Sequence, residues 1–156
     1  MWRADPVGWL ARSYRIEERG LVVGKVEFGS WSERGALELG GRRLPIRREG
    51  FWHPKFHLTN GSETLATGQA AGAFRHGFTL AHGDQEYRLD PSSFFRRSFA
   101  LTQRGRSLGE IRALGFFGRS ARIELDDELA PELRLFAFWL VALAWRRAAT
   151  AAAAAS

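Results

Sequence analysis

The chain has 156 residues, 45% apolar and 26% charged, which suits one globular domain and speaks against disorder. It has no cysteine, so a disulfide scaffold, a thiolate metal site and a cysteine nucleophile are excluded together. The net charge of +6 comes from 21 arginines and 2 lysines against 17 acids, a guanidinium surplus suited to phosphate or carboxylate partners.

Residues 2–13 read as an irregular opening with Trp9 and Leu10 as packing residues, and they lack the basic segment and apolar run of a secretory signal. A cytoplasmic protein is therefore expected. Short runs of alternating apolar and polar residues follow, the mark of half-buried strands. They fall at 14–17, 21–28, 36–39, 43–47, 56–59, 64–70, 77–80, 86–89, 99–102, 107–114 and 121–125, and glycine-containing turns separate them. Gly68-Gln69-Ala70-Ala71-Gly72 has neither a βαβ unit nor a following helix, so it reads as turn sequence rather than a dinucleotide loop.

The runs repeat. Tyr14, Ile16, Gly20 and Val23-Gly24 recur as Phe99, Leu101, Gly105 and Leu108-Gly109, offset by 85 residues, and Phe56, Leu58, Gly61 and Gly68 form a third copy midway. The pattern predicts three units of about 42 residues, each two hairpins long. Three units are fewer than the blades of a propeller, so a mainly β, about twelve-stranded antiparallel barrel is expected. Its lumen would be too wide for side chains alone to fill.

Residues 133–145, L-R-L-F-A-F-W-L-V-A-L-A-W, supply the filling. Apart from Arg134 the run has no polar side chain and no polar face, so it reads as a helix buried on every side, with Leu135, Phe136, Trp139, Leu140 and Leu143 as its core. Pro131 suits a first helical position, acids precede it, and Arg146-Arg147 would sit at the negative end of the dipole. The helix is placed at about 131–147, inside a single domain 1–147, with 148–156 as an alanine-rich tail that would lengthen the helix if it is ordered. At ~1.5 Å per residue the apolar run is ~20 Å long, short for the ~20 residues a bilayer needs.

The four-strand units, the segment Phe99-Ala100-Leu101-Thr102-Gln103-Arg104-Gly105-Arg106-Ser107-Leu108-Gly109-Glu110-Ile111, the turn Gly115-Phe116-Phe117-Gly118-Arg119 and the closing helix with Phe136, Leu140 and Leu143-Ala144-Trp145-Arg146-Arg147 resemble the tubby C-terminal-like superfamily. That group includes tubby proteins, phospholipid scramblases, LURP-one-related proteins and small bacterial members, and the chain looks most like the last. The resemblance implies a twelve-stranded barrel threaded by the C-terminal helix. Tubby proteins bind phosphoinositide head groups through lysines and arginines, so contact with anionic lipid or phosphoinositide-like head groups at a membrane surface is expected; with no visible carrier of catalysis, a non-enzymatic binding or scaffold module without cofactor is expected. The scramblase cysteine cluster has no counterpart here, and Asp126-Asp127-Glu128 lacks the alternating oxygens and glycine of a calcium loop.

Individual residues offer little chemistry. His53 and His57 are four apart, but Pro54 and the alternation of Phe56-His57-Leu58 place them on extended chain, so no metal pair is expected. His76 and His82 read as rim residues, no serine sits in a nucleophile elbow, and no catalytic residue is assigned. The anion- and lipid-binding candidates are Arg42, Arg43, Arg47, Arg48, Lys55, Arg96 and Arg97. Pro45 between the first two arginine pairs suggests a strand edge or bulge. Phe94-Phe95-Arg96-Arg97-Ser98-Phe99 has two readings: a cluster that stacks bases or grips phosphates, or a strand with its phenylalanines in the core and its arginines in solvent. A nucleic-acid-binding barrel and a tail-anchored membrane protein are the alternatives to lipid contact, and the oligomeric state is left open.

Overall fold

The computed structural model describes residues 1–10, 12–30, 33–71, 76–115 and 119–156. Within them the chain forms β1 (Trp2–Val7), β2 (Ser13–Glu18), β3 (Leu21–Phe28), β4 (Gly35–Leu39), β5 (Arg42–Glu49), β6 (Lys55–Asn60), β7 (Glu63–Ala70), β8 (Phe78–His82), β9 (Gln85–Pro91), β10 (Ser98–Gln103), β11 (Arg106–Ala113), β12 (Ala121–Leu125) and the helix α1 (Pro131–Ala154). Each strand pairs antiparallel with its neighbours in sequence, and β1 pairs with β12, so the sheet closes into a twelve-strand barrel. Closure removes every sheet edge.

Three expectations are corrected by this topology. The opening is not irregular: Trp2 and Ala4 are buried on β1, which supplies the twelfth strand. Trp9 and Leu10 do not pack in the core, because they lie past the end of β1 and are 87% and 54% exposed. Pro45 is not on an edge. It pairs with Ala36 of β4, the ladder between β5 and β6 begins only at Ile46 and Leu58, and the Thr59 hydroxyl donates to the Pro45 carbonyl at 3.1 Å. Its missing N–H therefore falls where no ladder bond is required.

Up-and-down connectivity gives the barrel two unlike ends. At one, the turn end, two residues join each hairpin, as at Gly40-Gly41, where both φ angles are positive, at 57° and 75°. Such turns carry the twist that antiparallel strands need. At the other, the loop end, connections 8–12, 29–34, 50–54, 71–77, 92–97 and 114–120 are longer. Register shifts recur at corresponding places in three hairpins: after Ile16 in β2–β3, after Leu58 in β6–β7 and after Ala100 in β10–β11.

The helix enters at the turn end and runs up the lumen. Leu135, Phe136, Ala137, Phe138, Trp139, Leu140, Val141 and Ala142 are all 0% exposed. Burying each large side chain contributes about 1.5–3 kcal/mol, which makes α1 the core of the domain. Trp139 anchors it: its ring stacks on Phe28 at 5.2 Å, meets the edge of Phe56 at 5.2 Å, and its Nε1 donates to the Glu27 carbonyl at 3.0 Å. Tyr14 and Phe138 meet edge to face at 5.2 Å.

The wall makes room for this helix with small residues. A Cβ on Gly68 would lie 2.7 Å from Leu140 Cδ1, and one on Gly24 would lie 3.1 Å from Leu135 Cδ1. Gly68 is thus strand sequence facing the helix rather than part of a turn, and Gly72 lies outside the described residues. Arg134, the one charge in the run, stays at the turn-end mouth, where it stacks 4.0 Å above Trp2 and donates to Asp127 Oδ1 at 3.1 Å.

The helix continues through the alanine tail to Ala154. Arg146 and Arg147 consequently do not cap a negative end; the last turn holds no basic residue. They sit instead where the helix leaves the barrel. Arg146 lies over the Phe28 ring at 4.7 Å, and Arg147 donates a two-point pair to Glu33.

Candidate functional site

The aromatic residues exposed among the described residues gather at the loop end. Trp9 (87%), Phe51 (79%), Trp52 (84%), Phe94 (93%) and Phe95 (78%) occupy three of its connections. At the turn end the exposed large apolar residues are Met1, Leu21 and Val22. A lone exposed apolar residue needs no explanation, but several gathered on one end of a barrel make that end the candidate interaction surface.

Local sequence forces this exposure. In Ser93-Phe94-Phe95-Arg96 the Arg96 N–H donates to the Ser93 carbonyl at 3.0 Å, and Arg96 takes a positive φ of 54°. The Ser93 hydroxyl accepts from the Arg97 and Ser98 N–H groups at 2.9 and 3.3 Å. The tight turn leaves both phenylalanines at its tip with their rings edge to face at 5.2 Å. Phe51 and Trp52 do the same at 5.4 Å ahead of Pro54.

Guanidinium groups surround these rings. The described residues of the six loop-end connections hold Arg12, Arg34, Arg96, Arg97 and Arg119 against the single acid Glu33. At the turn end the connections hold Asp84, Asp126, Asp127 and Glu128 against Arg19 and Arg104. The molecule is therefore polar along its axis, basic and aromatic at the end from which α1 emerges. Glu33 is itself neutralised: Arg48 Nη1 lies 3.1 Å from it, and Arg147 pairs with it from the helix. Burial pushes the Glu33 carboxyl up, but the hydrogen bond and charge of Arg147 and the charge of Arg48 outweigh this and hold it below the ordinary glutamate value.

A cavity of about 800 Å³ opens within this end, beside the emerging helix. Ala144, Ala148 and Ala151 line it from one face of the helix, and Phe78 and Phe99 line it from the barrel. Trp145 bounds it, held by a 2.8 Å hydrogen bond from Nε1 to the Arg96 carbonyl and by an edge contact with Phe99 at 6.5 Å.

The seven candidate residues divide between the two ends. Arg42 and Arg43 stand beside the Gly40-Gly41 turn, remote from the rest. Arg43 is occupied on the strand surface, at 2.5 Å from Glu27 and 3.4 Å from Glu38. Glu27, which also faces Lys25 at 2.9 Å, is held below the usual glutamate range despite burial, which pushes it up. Arg47 faces out from β5 beside His57, and Lys55 opens β6 opposite Glu49. Arg48, Lys55, Arg96 and Arg97 do belong to the loop end. The Arg97 guanidinium donates to the Gly115 carbonyl and ties two connections together.

The strand reading of residues 94–99 is corrected: only Ser98 and Phe99 join β10, and Phe94 and Phe95 are in solvent. His57 Nε2 lies 2.7 Å from Glu49 and His82 Nε2 lies 3.6 Å from Glu132, while His53 and His76 are exposed in connections. No group of three or more metal-ligating side chains occurs among the described residues. The features missed by sequence reading are Trp9, Phe51, Trp52 and the cavity. The signal available for them was an aromatic residue in each longer connection; in sequence the other three also carry one, at Trp31, Phe74 and Phe116-Phe117, outside the described residues. The turn 115–119 falls partly in that group, with Gly115 and Arg119 described and the three residues between them not.

No family model matches the chain, and no curated protein or solved structure matches it.

Proposed function

We propose that the protein is a non-catalytic binding module that docks its loop end on an anionic membrane surface from the cytoplasmic side. The observation that carries this reading is the coincidence, among the described residues, of the exposed aromatic rings, the basic connections and the emerging helix on one end of the barrel. Tryptophan and phenylalanine suit the head-group boundary, and each nearby arginine contributes about 1 kcal/mol of attraction to an anionic leaflet. Beyond Arg147 the helix offers Ala148 to Ala154, about 10 Å of weakly apolar surface at ~1.5 Å per residue.

By length and composition α1 is the one helix among the described residues able to cross a membrane, but half of its apolar window is buried inside the barrel. Peripheral docking keeps that core intact, whereas spanning would require the barrel to lose it. Two copies meeting through this face would bring their arginines together, and like charges in contact oppose association. A single nucleic-acid strand needs a continuous groove, and a helix protruding from the centre of the ring interrupts one.

Membership of the tubby C-terminal-like superfamily is part of the proposal. Twelve antiparallel strands around a C-terminal helix support it. Co-sedimentation with vesicles tests the function. The protein is expected to pellet with vesicles of phosphatidylcholine mixed with phosphatidylserine, and less so as salt rises. Equal pelleting with pure phosphatidylcholine, or none with either, would overturn the reading.

A further inference from the structure

We infer that the cavity beside the emerging helix takes up the hydrocarbon chain of a single-chain anionic amphiphile, with the charged head held at the arginine rim. The inference rests on the membrane-docking reading and deepens it by naming the ligand class. The volume of about 800 Å³ falls within the roughly 300–1,000 Å³ of small-molecule sites. Part of its lining is apolar: Ala144, Ala148 and Ala151 recur on α1 at spacings of four and three residues and so share one face, flanked by Trp145 and Arg147, and Phe78 and Phe99 also line the space.

The charges of the lining have one sign. Arg96, Arg97, Arg119 and Arg147 border the cavity, and no carboxylate is among its described lining residues. Arg147 is paired with Glu33, and Arg97 is anchored on the Gly115 carbonyl. Arg96 and Arg119 have no carboxylate partner among the described residues, and Arg119 is steadied by donating to the Trp9 carbonyl at 3.1 Å. Guanidinium groups at the mouth of an apolar slot select a molecule with an anionic end and a hydrocarbon body. A cationic or uncharged amphiphile would fill the slot but leave the rim unmatched.

Displacement of a dansyl-labelled fatty acid from the vesicle-free protein, below micelle-forming concentrations, tests this. Dodecanoate and dodecyl phosphate are expected to displace the probe, the former reporting a carboxylate head and the latter a phosphate head. Dodecanol should be weaker by about tenfold or more, the scale of a lost charge-assisted hydrogen bond, and dodecyltrimethylammonium should not compete. Ala148→Phe, on an exposed helix position, should block probe uptake while leaving the thermal midpoint as in the parent. Arg96→Asn tolerates the positive φ at that position and should narrow the gap between dodecanoate and dodecanol. Equal displacement by dodecyltrimethylammonium, or full uptake by Ala148→Phe, would overturn the inference. Vesicle pelleting with no probe uptake would overturn it while sparing the docking reading. Probe uptake without pelleting would do the reverse.

Discussion

Trp139→Asp and Leu140→Asp are each expected to abolish recovery of soluble, folded protein. Both side chains are 0% exposed in the middle of the lumen. Removing the indole deletes its stack on Phe28 and its bond to the Glu27 carbonyl, and truncating a buried tryptophan costs about 3–5 kcal/mol. The new carboxylate would stand among apolar groups, and a buried unpaired charge costs several kcal/mol more. The combined loss approaches or exceeds the ~5–15 kcal/mol by which a domain is stable. Thr150→Asp, on the exposed extension of the same helix, should be recovered with the parent's thermal midpoint. Soluble Trp139→Asp melting where the parent melts would mean that the helix does not fill the barrel.

The second large effect concerns the rim. Trp52→Ser combined with Phe95→Ser should lower affinity for phosphatidylserine-containing vesicles by about 100-fold. Withdrawing one large apolar side chain from water is worth at least ~1.5 kcal/mol, or roughly tenfold, and the two rings stand on separate connections and act independently. Both are well exposed, so the folded barrel should be unaffected. The matched control is Leu21→Ser with Val22→Ser, which removes comparably exposed apolar groups from the turn end and should leave vesicle affinity unchanged. A similar loss in both pairs would mean that adhesion is unspecific.

Much of the architecture is legible from period and punctuation. The expected limits 21–28 and 121–125 coincide with those of β3 and β12, and 121–125 alternates residue by residue between buried and exposed positions. The apolar run from Leu135 to Trp145 has no polar face, so burial on every side follows from composition, and the surrounding strands supply the container. The functional end is less legible because exposure is not written locally. Trp9 and Leu10 look like core residues because an apolar side chain reads the same whether protein or lipid covers it. β1 was obscured by Asp5 and Pro6, which break the alternation that Trp2 and Ala4 begin. Arg42-Arg43 and Arg47-Arg48 look like one cluster, yet a strand of eight residues carries Arg42 and Arg48 to opposite ends of the barrel and leaves Arg47 on its outer wall. The closed, alternating topology is what sorts connections into two sets, and only then do residues distant in sequence, such as Phe51 and Phe95, share one face.

The orientation of the barrel on a membrane is the central claim, and the absence of native cysteine makes it directly measurable. An environment-sensitive nitrobenzoxadiazole label placed by Phe95→Cys reports the loop end, and one placed by Ser62→Cys reports the turn end. On addition of phosphatidylserine-containing vesicles the label at position 95 is expected to brighten and shift to shorter wavelength, while the label at position 62 stays at its aqueous value. An unchanged label at position 95, or a shift at position 62 instead, would contradict docking through the aromatic and arginine rim.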